Sequence, residues 1–203
     1  MKKFFYLIFT VFLAIMVIGL LPVSGESELY EKVLRLHVIA NSDSEADQAL
    51  KLSVRDEILD EVSVIVADCK TFEEAESTLS KKENLDRLTK IAEATVADAG
   101  YDYNVSISLS REKYPRKKYE SLCFPSGKYS SLRVQIGDAV GKNWWCVLFP
   151  ELCLSASSGA SNEDRFISAG FTPDQYKIVT ESDSPRYEVK FKILEIIEET
   201  FGE

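Results

Sequence analysis

The chain has 203 residues and a formal net charge of -9 at pH 7. This acidic balance repels nucleic acid and anionic lipid headgroups, so it favours proteins as partners. The length suits one domain with a substantial core. The sequence contains no internal repeat, Pro/Gly-rich linker or low-complexity tract that would indicate a second domain.

The N-terminus has the pattern of an export signal. Two lysines at positions 2 and 3 precede an uncharged apolar run over residues 4–21. The pattern predicts a signal peptide over residues 1–25, cleaved after Gly25. The run is also close to the lower limit of about 17 residues for a spanning helix, so an uncleaved anchor stays open. In both cases residues 26–203 form one exported domain, with a net charge of -9 minus 2, or -11.

The exported domain begins with a strand that has two unlike faces. Leu34, Leu36 and Val38 alternate with Arg35 and His37. A period of two predicts that the apolar residues are buried and that Arg35 and His37 face outward.

A polar turn and a long helix follow this strand. Ser42 with Glu45, or Ser44 with Asp47, can cap a helix that extends to about residue 67. Apolar residues recur in it at steps of three and four, which predicts one buried stripe. The stripe consists of Leu50, Val54, Ile58, Val62 and Ile65.

Helical periodicity continues over residues 71–100. Thr71 with Glu74 forms a second capping box. Gly100 is a suitable stop, because glycine adopts the left-handed conformation at little cost. Residues 81–84 either separate two helices or lie within one.

The second half of the chain changes to a period of two. This alternation predicts strands over residues 105–110, 131–137, 143–149 and 187–193. Residues 143–149 are apolar almost throughout, which predicts a central strand covered on both faces. We expect an exposed loop over residues 155–164 and a terminal helix over residues 194–201. The order of elements predicts an α+β domain with a mostly antiparallel sheet and helices packed on one face.

The sequence contains no recognised catalytic or metal-binding motif. His37 is the single histidine, so a hydrolase would need to combine it with Cys146 or a serine. Asp43, Glu45 and Asp47 faintly resemble a calcium loop, but Glu45 and Asp47 lie in the first turn of the predicted helix, where acids stabilise the helix dipole. We therefore expect no catalytic residue, metal, cofactor or small-molecule substrate, and keep an exported hydrolase as the alternative.

Four cysteines allow three disulfide pairings in an exported chain. Cys146 and Cys153 are close in sequence, so their loop is the easiest to close. A bridge between Cys69 and Cys123 is a weaker expectation. Four buried thiols are the alternative to any bridge.

Two adjacent tryptophans, Trp144 and Trp145, lie on the third predicted strand of the second half. Neighbouring residues of a strand face opposite sides, so one ring is hard to bury completely. Packing against the sheet explains both residues, and a binding hot spot is the alternative.

Three blocks of the sequence resemble the stage II sporulation protein R family. The opening block has LRLHVIANSDS at residues 34–44, followed by DQALK at 47–51 and VRD at 54–56. The others are FPSGKY at residues 124–129 and NWWCVLFPELC at residues 143–153, with VKFK at 189–192 near the end. Several separate blocks in order are far more specific than one short motif.

The resemblance implies a role in endospore formation. Members of the family are made in the forespore and exported into the space between forespore and mother cell. There they activate a membrane-embedded aspartic peptidase, which cleaves the precursor of the sigma-E transcription factor. The resemblance therefore implies a signalling protein whose partner is that peptidase, and it supplies no catalytic residues.

A surface for this partner is expected around the first strand and the turn after it. Arg35, His37, Asn41 and Asp43 offer directed hydrogen bonds there, because loops on a rigid scaffold often carry function. The strand with Trp144 and Trp145 would lie beside them and supply the apolar anchor.

Removing residues 1–25 tests the export signal. We expect the shortened protein to accumulate in the forespore cytoplasm and to trigger no sigma-factor processing, because it cannot cross the membrane. Cell fractionation and immunoblotting of the sigma precursor measure both effects. Normal processing with the shortened protein confined to the cytoplasm would show that export is not required.

Overall fold

The computed structural model describes residues 3–4, 6, 9–13, 29–119, 122–150 and 161–180. Most of the expected signal segment, the expected strand at residues 187–193 and the expected helix at residues 194–201 lie outside these ranges. Within them, no helix combines the length and apolar character needed to cross a membrane.

Four strands form a mixed sheet. The strands are β1 (Leu34–Ile39), β2 (Val105–Tyr114), β5 (Gly127–Ile136) and β6 (Asn143–Phe149), in the order β2-β5-β1-β6. β2 and β6 run antiparallel to their neighbours, but the central pair β1 and β5 is parallel. The α+β class is confirmed, whereas the expected mostly antiparallel sheet has a parallel centre. The helices between β1 and β5 supply the long crossover that a parallel pair requires.

The helical half follows the predicted caps closely. The helices are α1 (Glu45–Val66), α2 (Phe72–Leu79) and α3 (Lys82–Asp98). Ser44 caps α1, and its Oγ accepts a hydrogen bond from the backbone N–H of Asp47 at 3.1 Å. Thr71 caps α2 through the N–H of Glu74. Gly100 follows α3 with a φ of 82°, as a C-terminal stop requires.

The main core lies between this helical layer and one face of the sheet. Leu34, Leu36 and Val38 are fully buried there, which confirms their predicted orientation. The α1 stripe packs on them, with Ile65 only partly buried. The other contributing side chains are Phe72, Ala75 and Leu79 from α2 and Leu88, Ala92 and Val96 from α3.

A second core covers part of the opposite face, so the expectation of helices on one face only is wrong. Two short helices, α4 (Asn162–Ser168) and α5 (Pro173–Thr180), lie on this side with the small strand pair β3 (Lys117–Tyr119) and β4 (Leu122–Phe124). The core consists of Leu29, Val33, Tyr114, Leu122, Phe124, Tyr129, Val147, Phe166, Phe171 and Val179. Ser161 caps α4, so residues 162–164 are helical and not part of an exposed loop.

Among the described residues, the apolar strand β6 pairs with β1 alone. The strand expected at residues 187–193 lies outside these residues, so a central position of β6 stays a prediction. Its residues from Cys146 to Phe149 are nonetheless buried. The reason is that a core covers each face of the sheet at this point, so burial on both faces does not require a central position. The expected bridge between Cys69 and Cys123 is also absent, since both residues carry thiols.

The turn after β1 is built around the buried carboxylate of Asp47. It accepts hydrogen bonds from Ser42 Oγ at 2.5 Å and Asn41 Nδ2 at 2.9 Å. These two bonds, in that order, hold the pKa of Asp47 below its usual 3.8, although burial opposes them. Asn41 Oδ1 in turn accepts from the N–H of Asp138 at 2.9 Å, so the turn is joined to the loop before β6.

Replacement of the Asp47 carboxylate tests this arrangement. We expect Asp47→Asn to lower the free energy of unfolding at pH 7 by about 1.5–3 kcal/mol, because hydrogen bonds to a charged acceptor are lost. A lowered folded-state pKa contributes stability that is complete above the unfolded value and is lost as pH falls through the folded one. The difference between the two proteins should therefore shrink below about pH 4 in urea titrations.

Asp56→Asn is the matched control, because Asp56 is an exposed acid on the same helix. Its effect at pH 7 should stay within about 0.5 kcal/mol. An Asp47→Asn deficit that is equally large at pH 7 and pH 3 would contradict a role for the carboxylate charge.

Candidate functional site

The candidate site is the part of the second sheet face that the second core leaves uncovered. We call it the open face and define it by His37, Glu112, Arg133, Asn143 and Trp145. Strand register brings three of these residues together. His37 on β1 lies opposite both Arg133 on β5 and Trp145 on β6. Three exposed serines of β2 extend this face toward the far edge of the sheet: Ser106, Ser108 and Ser110.

The imidazole of His37 is held at both nitrogens. Nδ1 lies 3.0 Å from Glu112 Oε2, and Nε2 lies 2.9 Å from Asn143 Oδ1. Glu112 also lies 3.5 Å from Arg133 Nε, so its carboxylate joins two basic side chains. The side chain of His37 is 13% exposed. His37 is thus a fixed element of a polar network on the sheet.

The sheet separates His37 from the nucleophile of the alternative hydrolase. Cys146 pairs with Leu36 and is buried in the main core, whereas His37 and Trp145 lie on the opposite face. Among the described residues, the ring nitrogens of His37 contact Glu112 and Asn143 and no serine. Within the part of the chain that the structure describes, the geometry therefore does not bring together a cysteine or serine nucleophile with a histidine base. The described residues also contain no group of His, Cys, Asp and Glu that would hold a metal ion.

The two tryptophans face opposite sides, as predicted. Trp145 lies on the open face, where its ring centroid is 5.7 Å from that of His37 and 5.6 Å from Lys117 Nζ. Trp144 lies on the helical side, with the guanidinium of Arg55 4.8 Å from its ring. Only Trp145 therefore belongs to the candidate site.

Arg35 is on the predicted face but is not turned to solvent. It is fully buried, with 0% of its surface exposed. Four aromatic rings surround its guanidinium, at centroid distances of 4.3 Å for Tyr114, 5.0 Å for Tyr129, 5.5 Å for Phe124 and 5.7 Å for Tyr119. We call this arrangement the aromatic cage. The outward orientation predicted for Arg35 is wrong, because β3 and β4 fold back over this end of the sheet and cover it.

The aromatic cage leaves most of the guanidinium without hydrogen-bond partners. Nη2 donates to the hydroxyl of Tyr119 at 2.6 Å, and that hydroxyl donates to the carbonyl of Trp145 at 3.1 Å. Among the described residues, Nε and Nη1 of Arg35 have no partner. Burial raises the pKa of Tyr114 and of Tyr119, so neither phenol supplies a negative charge.

Asn41 and Asp43 lie in the turn beyond the end of β1, and their polar groups are bound internally. Asn41 contacts Asp47 and the backbone of Asp138, and Asp43 Oδ1 accepts from the N–H of Lys142 at 2.7 Å. The structure thus brings together Arg35, His37 and Trp145 among the predicted site residues. It places Trp144 on the other face and Asn41 and Asp43 in a turn that they stabilise.

Glu112 and Tyr114 are site residues that the sequence reasoning missed. The predicted strand ended at residue 110, whereas β2 continues to Tyr114. The signal was present, because both residues continue the alternation of the three serines and so share their face. The charged residues at positions 111–113 hid that pattern. Asn143 and Arg133 were inside predicted strands, but no sequence motif indicated that they belong to a site.

The fold and site define a small α+β domain with one polar, partly open sheet face. The family described as Stage II sporulation protein R matches residues 30–159. The chain is also 33% identical over 187 residues to the Stage II sporulation protein R of Bacillus subtilis (strain 168), a match that covers 85% of this chain and 83% of that protein. No solved structure matches the chain. The chain belongs to the stage II sporulation protein R family, which confirms the resemblance and identifies a sporulation protein.

Proposed function

We propose that this protein is an exported signal that activates a membrane-embedded aspartic peptidase, which then cleaves the sigma-E precursor. The observation that carries the proposal is the family match over residues 30–159, which includes the whole open face. The separation of His37 from Cys146 by the sheet favours a binding role over hydrolysis. The partner is then a protein, and the signal itself is not an enzyme.

Export places this signal between the forespore and the mother cell. The two N-terminal lysines and the apolar run at residues 4–21 support translocation from the forespore. The domain then acts in the intermembrane space, either released by cleavage or held by its N-terminal segment.

The open face is the surface that we assign to the peptidase. Trp145 is partly exposed there, and its ring lies beside those of His37 and Tyr114, so it offers a large apolar contact at little cost in conformational entropy. Arg133, whose side chain is 37% exposed, and Lys117 flank it. The acid of this face, Glu112, is already engaged by His37 and Arg133, so an acidic partner segment meets little repulsion there.

Reconstitution in a host that does not sporulate tests the proposal. The protein, the peptidase and the sigma precursor are co-expressed, and cleavage of the precursor is followed by immunoblotting. We expect cleavage only when this protein is present. Trp145→Ala should reduce cleavage by about 10-fold or more, because the central contact is removed. Trp144→Ala is the matched control and should retain it, since that ring faces the helices.

A His37→Gln variant in the same assay separates signalling from hydrolysis. Loss of a catalytic base lowers a reaction rate by about 100-fold or more, whereas an altered contact residue causes a smaller change. We expect a several-fold effect at most. Complete loss of cleavage with normal export of the variant would favour the hydrolase, and cleavage without this protein would reject the activator role.

We also propose that Cys146 and Cys153 are bridged after export. Cys69 and Cys123 carry thiols, and Cys146 is not among the thiols of the described residues. The bridge would close a short loop at the end of β6 and contribute about 2–3 kcal/mol. Mass spectrometry of the unreduced exported protein should detect a linked peptide that contains both cysteines. Alkylation of both residues without prior reduction would reject the bridge.

A further inference from the structure

The uncompensated charge of Arg35 is a feature that packing alone does not explain. A guanidinium has five N–H donors in a fixed planar arrangement, and a buried one normally meets a carboxylate or several carbonyls. Arg35 is fully buried and uses one described acceptor, the hydroxyl of Tyr119. No acidic side chain of the described residues forms an ion pair with it within 4.0 Å. Burial of such a group is unfavourable, so its retention calls for a function.

The aromatic cage compensates for only part of this charge. Ring faces attract a cation, but they do not accept the in-plane N–H groups of the guanidinium as an oxygen does. The other two hydroxyls of the cage are directed elsewhere: that of Tyr114 binds Ser131 Oγ at 2.6 Å, and that of Tyr129 donates to the carbonyl of Pro125 at 2.7 Å. The unused donors on Nε and Nη1 therefore remain available to an acceptor from outside the described fold.

We propose that Arg35 is the receptor for a carboxylate of the protein partner, which replaces the hydroxyl of Tyr119 and binds the guanidinium through two hydrogen bonds. This inference rests on the proposed function, because it names the chemistry by which the peptidase is recognised. A carboxylate matches the two-pronged geometry of arginine and neutralises its charge, which a phenol does not.

Tyr119 provides the route from the open face to the guanidinium. Unlike Tyr114, Phe124 and Tyr129, it is only partly buried. It belongs to β3, which within the described residues pairs with β4 alone in a separate two-stranded sheet. Its hydroxyl bridges Arg35 and the carbonyl of Trp145, the aromatic residue of the open face. Displacement of this one side chain therefore joins Arg35 to the proposed contact surface.

A small carboxylate tests the receptor without the peptidase. Thermal unfolding of the full chain is measured in sodium formate and in sodium chloride at equal ionic strength. We expect formate to stabilise the wild type relative to chloride. The concentration for half of the effect should fall at least about 3-fold in Tyr119→Phe, because the competing hydroxyl is absent. Arg35→Met should show no difference between the salts. A formate effect of the same size in Arg35→Met would overturn the proposal.

The cleavage assay then tests the receptor with its partner. Arg35→Met should fold with a midpoint no lower than that of the wild type but reduce cleavage at least about 10-fold. Tyr119→Phe should unfold at a lower temperature yet retain or increase cleavage. A purely structural role for Arg35 predicts instead that Tyr119→Phe loses stability and cleavage together, and that result would overturn the proposal.

Two further results keep the test decisive. If Arg35→Met does not fold, Arg35→Lys replaces it, because lysine keeps the charge but cannot form two parallel hydrogen bonds with one carboxylate. We expect the same loss of cleavage from Arg35→Lys. Full cleavage with this variant would overturn the proposal. If the wild type drives no cleavage at all, the proposed function fails. The formate measurements then decide independently whether Arg35 receives a carboxylate.

Discussion

The alternation of β1 between two cores is the constraint on which the rest of the structure depends. β1 lies inside the sheet, parallel to β5 and antiparallel to β6, so both of its faces are committed. Its apolar residues anchor the helical layer, and its two basic residues are directed to the second face. A shift of one residue in its register would exchange these faces and place Arg35 and His37 in the main core. The fold and the candidate site are therefore fixed by the same pairing.

On the second face of the sheet, the basic side chains of His37 and Arg35 are accommodated in two different ways. His37 is compensated by Glu112 and Asn143 in a network that stays partly open to solvent. Arg35, two residues earlier, is enclosed by aromatic rings and has one hydrogen-bond acceptor among the described residues. Trp145 connects the two, since its ring lies beside His37 and its carbonyl accepts from Tyr119. The aromatic cage, the polar network of His37 and the proposed recognition surface are thus adjacent where β1 pairs with β6.

Local patterns predicted the elements whose formation depends on neighbouring residues. The caps at Ser44 and Thr71 and the stop at Gly100 require contacts within a few residues, and all three are confirmed. The strand predicted over residues 105–110 is also confirmed, although charged residues concealed its continuation to Tyr114. The strand order was not predictable in this way. An apolar strand such as β6 indicates that both of its faces are covered, but not which strands lie beside it.

The sequence by itself determined the family, the α+β class, the caps of α1 and α2, the stop after α3 and the faces of β1, because these follow from motifs, capping and periodicity. Only the tertiary structure decided the parallel pairing of β1 with β5, the second core and the surroundings of Arg35. The rings that enclose Arg35 come from residues 114–129, about 80 positions or more along the chain, and are brought to it by strand pairing. A pattern of two or four residues carries no information on such distant contacts. An arginine on an alternating strand therefore has the same signature whether water or an aromatic cage surrounds it.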